Sequence, residues 1–220
     1  MVFLMTDVLE EKFYTEGAFY QIELDGESYT CRGLAKICRY GIETDVADAL
    51  IVMANPGSSP LTDKEYAIPQ YNGKLSEIPL VATESDQTQH QLMRLMERRG
   101  WDMTYIISLS DLRAGNISEY KVHWKRFNEQ KNDTHSIFSS NRIQQINALL
   151  TEKTRIIVGW GVNRLKKEKM SNVLSILKRE REIFGIPHQT YPYYHHARPA
   201  RMEERIEWLE DMNRILDEAN

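Results

Sequence analysis

The sequence predicts an α/β protein with three αβα layers around a central four-stranded parallel sheet, and three observations lead there. Short runs read as strands at Leu50–Ala54, Thr104–Ser110 and Arg155–Gly161, with a fourth strand over Pro187–Tyr191, stop at clusters of turn and polar residues, as buried parallel strands do. Between them lie segments with helical spacing of apolar residues, giving the alternation of strand and helix that a doubly covered sheet requires. The chain has 220 residues, 41% apolar and 27% charged, enough for one domain with a substantial core.

Taken in order, residues 1–47 read as a lead-in with a hairpin, and residues 48–220 as one compact α/β unit. Phe19–Leu24 alternates, Asp25-Gly26 is a hairpin turn signal, and Tyr29–Cys31 returns as a second strand. Leu34–Arg39 reads as a short helix. Residues 61–85 show no period and contain Pro69, Gly73 and Pro79, which marks a long loop. Asp86 caps a helix carrying Leu92, Met93, Leu95 and Met96, and Gly100 closes it. Residues 114–138 interleave Lys121, Lys125, Arg126 and Lys131 with Tyr120, His123, Trp124 and Phe127. They read either as a helical insertion held down by its aromatics or as a base-stacking surface facing phosphates. A helix from about Ser140 uses Ile143, Ile146 and Leu150, and the next spans Asn172–Phe184 and ends at Gly185. The last helix places Met202, Ile206, Leu209, Met212 and Leu216 on one face, with Glu203 and Glu204 suiting its positive end.

A net charge of −4 and a pI near 5.9 exclude a global attraction to nucleic acid, so any such contact rests on local basic groups. Cys31 and Cys38 are the only cysteines, too few for a four-thiolate metal site. No run approaches the ~20 apolar residues of a membrane helix, and a cytoplasmic protein with reduced thiols and no membrane partner is expected. His188, His195 and His196 have no acidic partner at matching spacing, so no metal and no cofactor are expected. Gly159-Trp160-Gly161 is half a dinucleotide fingerprint without its third glycine; phosphate-loop, nucleophile-elbow and zinc-deaminase motifs are also missing.

In an open α/β sheet ligands bind beyond the carboxyl ends of the strands. Four loops gather there: Asn55–Pro60, Asp111–Asn116, Trp160–Arg164 and His195–Arg201. The first, Asn55-Pro56-Gly57-Ser58-Ser59, offers an amide, two hydroxyls and a glycine; the same residues would also make a plain tight turn.

A strand ending in Asn55-Pro56-Gly57-Ser58-Ser59, paired with a late His196-Ala197-Arg198-Pro199 before a helix, resembles the uracil-DNA glycosylase superfamily, closest to its mismatch-specific uracil/thymine branch. The chain also resembles a group of bacterial and phage domains with N-P-S-T-A-D, D-P-T, N-L-F-x-L-R, N-D, W-G and H-P-R-H-P in this order. It answers with Asn55-Pro56-Gly57-Ser58, Asp86-Gln87-Thr88, Ser108-Leu109-Ser110-Asp111-Leu112-Arg113, Asn132-Asp133, Trp160-Gly161 and His195-His196-Ala197-Arg198-Pro199. Ser108 stands where that group has asparagine, and two cysteines exclude the iron–sulfur branch.

The resemblance implies a four-stranded parallel sheet between helices and a monofunctional DNA glycosylase that flips a pyrimidine, uracil, thymine or a modified cytosine, out of single- or double-stranded DNA. A modified cytosine of phage DNA as substrate would make the protein part of antiviral defence. It further implies Asn55 as the holder of the attacking water and His196, with His195 as rival, as donor to the departing base. Pro56, Gly57, Ser58, Ser59, Ser108, Ser110, Asp111 and Trp160 would line the base pocket. Arg113, Arg198 and Arg201 would take phosphates, and Asp63, Asp86 or Asp133 would assist as acids. DNA is the only partner implied. The alternatives are a non-catalytic reader of a modified base and a hydrolase of small nucleotides.

Overall fold

The computed structural model describes residues 3–114, 116–162, 167–190, 192 and 194–219. Its centre is a seven-stranded mixed sheet in the order β4-β1-β2-β5-β3-β6-β7. The strands are β1 (Phe13–Leu24), β2 (Glu27–Arg39), β3 (Ala49–Met53), β4 (Leu80–Thr83), β5 (Met103–Ser108), β6 (Arg155–Val158) and β7 (Ile183–Phe184). The helices are α1 (Thr6–Lys12), α2 (Gln87–Arg99), α3 (Ile117–Glu129), α4 (Lys167–Glu180) and α5 (Met202–Glu218). The α/β class holds, but the sheet is larger than the expected four parallel strands. Parallel pairing joins β5, β3, β6 and β7, while β2, β1 and β4 extend the sheet by antiparallel pairing.

That extension comes from the N-terminal hairpin. Asp25 and Gly26 turn it through positive φ values of 54° and 75°, as the sequence leads one to expect. Its strands run far beyond the expected residues, and Leu34–Arg39 is not a helix but the second half of β2, paired with β1 and, from Ala35 to Cys38, with β5. Buried on both faces, this segment lacks the alternation that identifies a strand. A bulge interrupts the pairing, with Ala18 opposite Leu34 but Phe19 opposite Arg32, so Gly33 is the extra residue. A Cβ at Gly33 would lie 2.6 Å from Leu75 Cδ1 and 3.0 Å from Tyr20 Cε1, which is why glycine stands there. The bulge turns Cys31 and Leu34 to the same face and leaves Arg32 on the other.

Along β3 the side chains divide the core. Leu50 and Val52 face a cluster built by α3 and α4 with Tyr120, Phe127, Val173 and Leu174. Ala49, Ile51 and Met53 face α1, α2 and α5 through Leu9, Leu92, Met96, Leu209 and Met212. Helix α2 begins as read from the sequence: Asp86 accepts from the amides of Thr88 and Gln89, Gln89 returns the bond to the Asp86 amide, and Gly100 closes the helix at φ 64°.

Other expectations need correction. The helix read over Asn172–Phe184 is α4, which ends at Glu180, and the last parallel strand is Ile183–Phe184. Pro187–Tyr191 is not that strand: Pro187 makes an isolated bridge to Tyr194, and Tyr191 lies outside the described residues. The helix from Ser140 is a 3-10 turn over Ile143–Leu149. The segment 61–85 contains a 3-10 turn (Leu75–Glu77) and β4 rather than loop throughout. The base-stacking reading of 114–138 fails on its aromatics, since Tyr120, Trp124 and Phe127 are buried in the core and only the outer face of α3 carries exposed lysines. Among the described residues no helix is long and apolar enough to cross a membrane.

Candidate functional site

The strand order places β3 between β5 and β6, the two strands that follow it in the parallel set. The chain therefore turns to opposite sides of β3, which opens a crevice beyond the carboxyl end of that strand. Backbone bonds lock the three strand ends together: Leu109 N donates to Met53 O at 2.9 Å and Gly159 N to Val52 O at 3.0 Å. Asn55, half-buried, stands at the exit of β3, and its side chain makes no hydrogen bond among the described residues.

The loop after it is rigid. Gly57 adopts φ 78°, and a Cβ at this position would lie 2.7 Å from Asp86 Oδ2. Glycine is thus demanded twice, by its backbone and by the close approach of the carboxylate. Arg32 reaches from β2 to donate to the Pro56 carbonyl. Arg113 donates to the carbonyls of Ser59 (2.9 Å) and Ser58 (3.3 Å), and Ser59 Oγ donates to Glu84 O at 2.7 Å.

His196 arrives from the segment before α5. Its ring packs on Gly161, where a Cβ would lie 3.5 Å from His196 Cδ2, and Gly161 itself has φ 76°. The Arg198 amide lies 3.0 Å and the Arg198 carbonyl 3.1 Å from His196 Nδ1, so this nitrogen accepts from the amide in one tautomer and donates to the carbonyl in the other. Burial, and then the Arg198 charge, hold the imidazole below its usual pKa, opposed by the Arg198 carbonyl at 3.1 Å and by the Asp86 carboxylate. The fold thus brings the Asn55–Ser59 loop against Asp86 and Arg113, and sets His196 with Arg198 within electrostatic range of Asp86, at the carboxyl-end edge of the parallel strands.

Other expected residues go elsewhere. His195 is exposed; its ring lies 5.4 Å from that of His188, and it lines a cleft of about 310 Å³ with Glu204, Glu207 and Trp208. It is turned away from His196 because neighbouring residues in an extended segment point to opposite sides. Arg201 is held by Glu204 at 2.8 Å on the exposed start of α5. Asp63 is exposed and caps the Glu65 amide. Asp133 is exposed, and its charge acts on Lys169. Asn163 and Arg164 of the third loop lie outside the described residues. Ser108 and Trp160 are buried; Trp160 Nε1 donates to Pro192 O at 3.3 Å.

Ser110 and Asp111 belong to a buried polar network rather than to an open pocket. Asp111, fully buried, accepts from Tyr20 Oη at 2.5 Å and from Arg142 Nη1 at 2.8 Å, and Ser110 Oγ pairs with His135 Nδ1 at 2.9 Å. Burial pushes the Asp111 carboxyl up, while Arg142 and Tyr20 pull it back. Desolvation brings the neighbouring Lys169 ammonium down to about 8. Sequence reasoning missed Arg32, Tyr20, Arg142 and Lys169. Arg32 and Tyr20 lie on the hairpin, where nothing local marks them, and Arg142 stands 31 residues from its partner.

The profile of one family matches residues 80–196, more than half of the chain, and its description is "Protein of unknown function (DUF1643)". The chain belongs to the DUF1643 family. No curated protein and no solved structure matches it. The DUF1643 match spans β4 to His196 and so takes in Asp86, Arg113 and the Asp111–Arg142 pair, while Arg32 and the Asn55 loop precede it. Among the described residues no group of three or more His, Cys, Asp or Glu side chains is arranged to hold a metal.

Proposed function

We propose that this crevice is the active site of an N-glycosidic hydrolase that removes a pyrimidine base from DNA. The observation that carries the reading is that Asn55 leaves the carboxyl end of β3 in a loop whose Gly57 packs on Asp86, and that Asp86 in turn acts on the half-buried His196, whose imidazole is held below its usual pKa. Cleavage of the glycosidic bond builds positive charge on the sugar and negative charge on the departing base. Each needs a preorganised partner. In the tautomer whose Nδ1 accepts from the Arg198 amide, His196 Nε2–H is the donor for the base carbonyl oxygen. The Asn55 amide oxygen orients the water, and Asp86, whose Oδ1 is occupied by helix capping, has Oδ2 left to take the water's proton. The expected four parallel strands belong to this reading as the β5-β3-β6-β7 half of the sheet, the part that would correspond to a uracil-DNA glycosylase-like core.

The reading is tested by incubating the protein with uracil-containing, hydroxymethylcytosine-containing and glucosylated DNA, scoring abasic sites by alkaline cleavage and identifying the free base by mass spectrometry. Release from one substrate, reduced at least tenfold in Asn55→Ala (about 1.4 kcal/mol in the transition state) with folding unchanged, is the expected result. Binding without release from any of them would favour the non-catalytic reader.

A second reading, hydrolysis of free nucleotides, draws on the acidic chain and on Arg201, which is tied to Glu204 instead of standing free for a DNA strand. Turnover of deoxyuridine 5′-monophosphate without turnover of DNA would select it.

A further inference from the structure

Arg32 is 4% exposed, Arg113 is half-buried, and among the described residues neither has a carboxylate within ion-pair distance. Burying a guanidinium without a counter-charge is expensive, and proteins normally place an acid beside it. Burial lowers Arg32 to about 10, with Asp86 as its more distant counter-charge pulling it back and Arg113 adding to the lowering, and burial lowers Arg113. Both side chains grip carbonyls of the same loop, Arg32 at Pro56 and Arg113 at Ser58 and Ser59, which leaves Arg32 Nη1 and Arg113 Nε buried and without partners. Arg198, beside His196, adds a third guanidinium with a buried, unpartnered Nε. The carboxylate that acts on Arg32 and on His196 is Asp86, in a chain whose net charge is −4.

The loop itself adds donors. The amides of Gly57, Ser58 and Ser59 take part in no hydrogen bond among the described residues, and left-handed Gly57 is the conformation in which successive N–H groups converge on an anion. A cleft of about 500 Å³ opens beside Ser58 and is lined also by Arg113, Ser28, Thr30 and His123, whose Nδ1 is unpartnered. Two acids, Glu27 and Glu119, share that wall; Glu27 is neutralised by Arg126, and Glu119 lies 4.0 Å from His123.

We propose that the Asn55–Ser59 loop, with Arg32 beneath it and Arg113 at its side, is a phosphoryl-binding site, so that the substrate of the crevice is recognised as a phosphorylated nucleotide rather than as a base or nucleoside. The proposal deepens the function given above and rests on it only for the nucleoside part of the ligand. Arg32 is the residue that sets it apart from a surface phosphate contact: it comes from the antiparallel hairpin, and it holds both the loop and the charge from below.

The test is direct binding, independent of any excision. Calorimetry and thermal shift are run on the full chain with orthophosphate, pyrophosphate, deoxyuridine, deoxyuridine 5′-monophosphate and a short single-stranded deoxyuridine oligonucleotide. The expected result is stabilisation by phosphate and pyrophosphate, with the monophosphate or the oligonucleotide binding at least tenfold tighter than deoxyuridine. Arg113→Met and Arg32→Met lose this preference, whereas Arg201→Met keeps it. Should Arg32→Met fail to fold, Arg32→Lys, which keeps the charge but not the fork, and Arg113→Met carry the test. Equal binding of deoxyuridine and its monophosphate, or a preference that survives in both Arg113→Met and the Arg32 variant, overturns the proposal. Phosphate preference without base release from any DNA would leave this site standing and reject the glycosylase; the oligonucleotide and monophosphate arms tell a DNA backbone from a free nucleotide.

Discussion

Arg142→Met is the perturbation whose magnitude can be worked furthest. The Arg142 and Asp111 side chains are 3% and 0% exposed, with Nη1 and Oδ2 2.8 Å apart. Removing the guanidinium strands a buried carboxylate, a loss of about 3–5 kcal/mol when a buried pair is broken from one side. Tyr20 still donates at 2.5 Å, and the Lys169 charge remains in range, so the lower end, about 3 kcal/mol, is expected. At ~2–4 °C per kcal/mol for a chain of this size, the melting temperature falls by roughly 6–12 °C. The double variant Asp111→Leu/Arg142→Met buries no charge and should lose less than the single one, a coupling of about 2 kcal/mol or more. Urea unfolding followed by circular dichroism measures both. The stranded carboxyl has a folded pKa above its unfolded value, so the deficit is greatest above that folded pKa and shrinks as pH falls through it. A loss under about 1 kcal/mol in Arg142→Met, or a double variant equal to the sum of its singles, would refute the view of this network as a structural pair and return Asp111 to the list of ligand-facing acids.

Three further outcomes follow from the same geometry. Gly57→Ala must hold a left-handed backbone and push against Asp86 Oδ2, a strain of about 1–2 kcal/mol; base release should fall by more than that stability loss explains, as measured by parallel kinetics and melts. Lys169→Met should raise the melting temperature at pH 7: a base depressed to about 8 contributes stability fully only above its unfolded pKa near 10.5 and loses it as pH falls through 8, a loss that methionine removes. His196 is likewise depressed, so its contribution is present above about 6.5 and lost as pH falls through its lower folded value; His196→Gln should flatten the acid side of the stability profile between pH 7 and 5, read by melts at each pH.

The parts of the fold that could be read from sequence are those whose signals are local. The Asp86 capping box, the Gly100 terminator and the Asp25-Gly26 turn each depend on a few adjacent residues, and each stands where it was expected. β7 escaped because two residues, Ile183 and Phe184, carry no period and adjoin a helix of similar composition. β2 escaped for the opposite reason, since burial on both faces removed its alternation. In the crevice, Asn55 and His196 were legible because apolar strands and turn residues bracket their segments. Asp111 was read as facing a ligand because an acid follows an apolar run, yet its orientation is decided by Tyr20 and Arg142, 91 and 31 residues away.

The hairpin gives those long-range partners a common origin. Tyr20 on β1 reaches the Asp111 network on one face of the sheet, and Arg32, set on the other face by the bulge at Gly33, reaches the Asn55 loop. The main chain couples the two, since Arg32 N donates to Asp111 O at 2.8 Å and Arg113 N to Thr30 O at 3.0 Å. Gly33→Ala should therefore be felt on both sides: its Cβ meets Leu75 and Tyr20, and the displaced β2 carries Arg32 with it. A stability loss of about 1–3 kcal/mol is expected from the overpacking, together with weaker binding of the monophosphate in the calorimetric assay above. A variant that loses stability but binds the monophosphate like the wild type would separate the hairpin from the crevice and leave β1 and β2 with a purely architectural role.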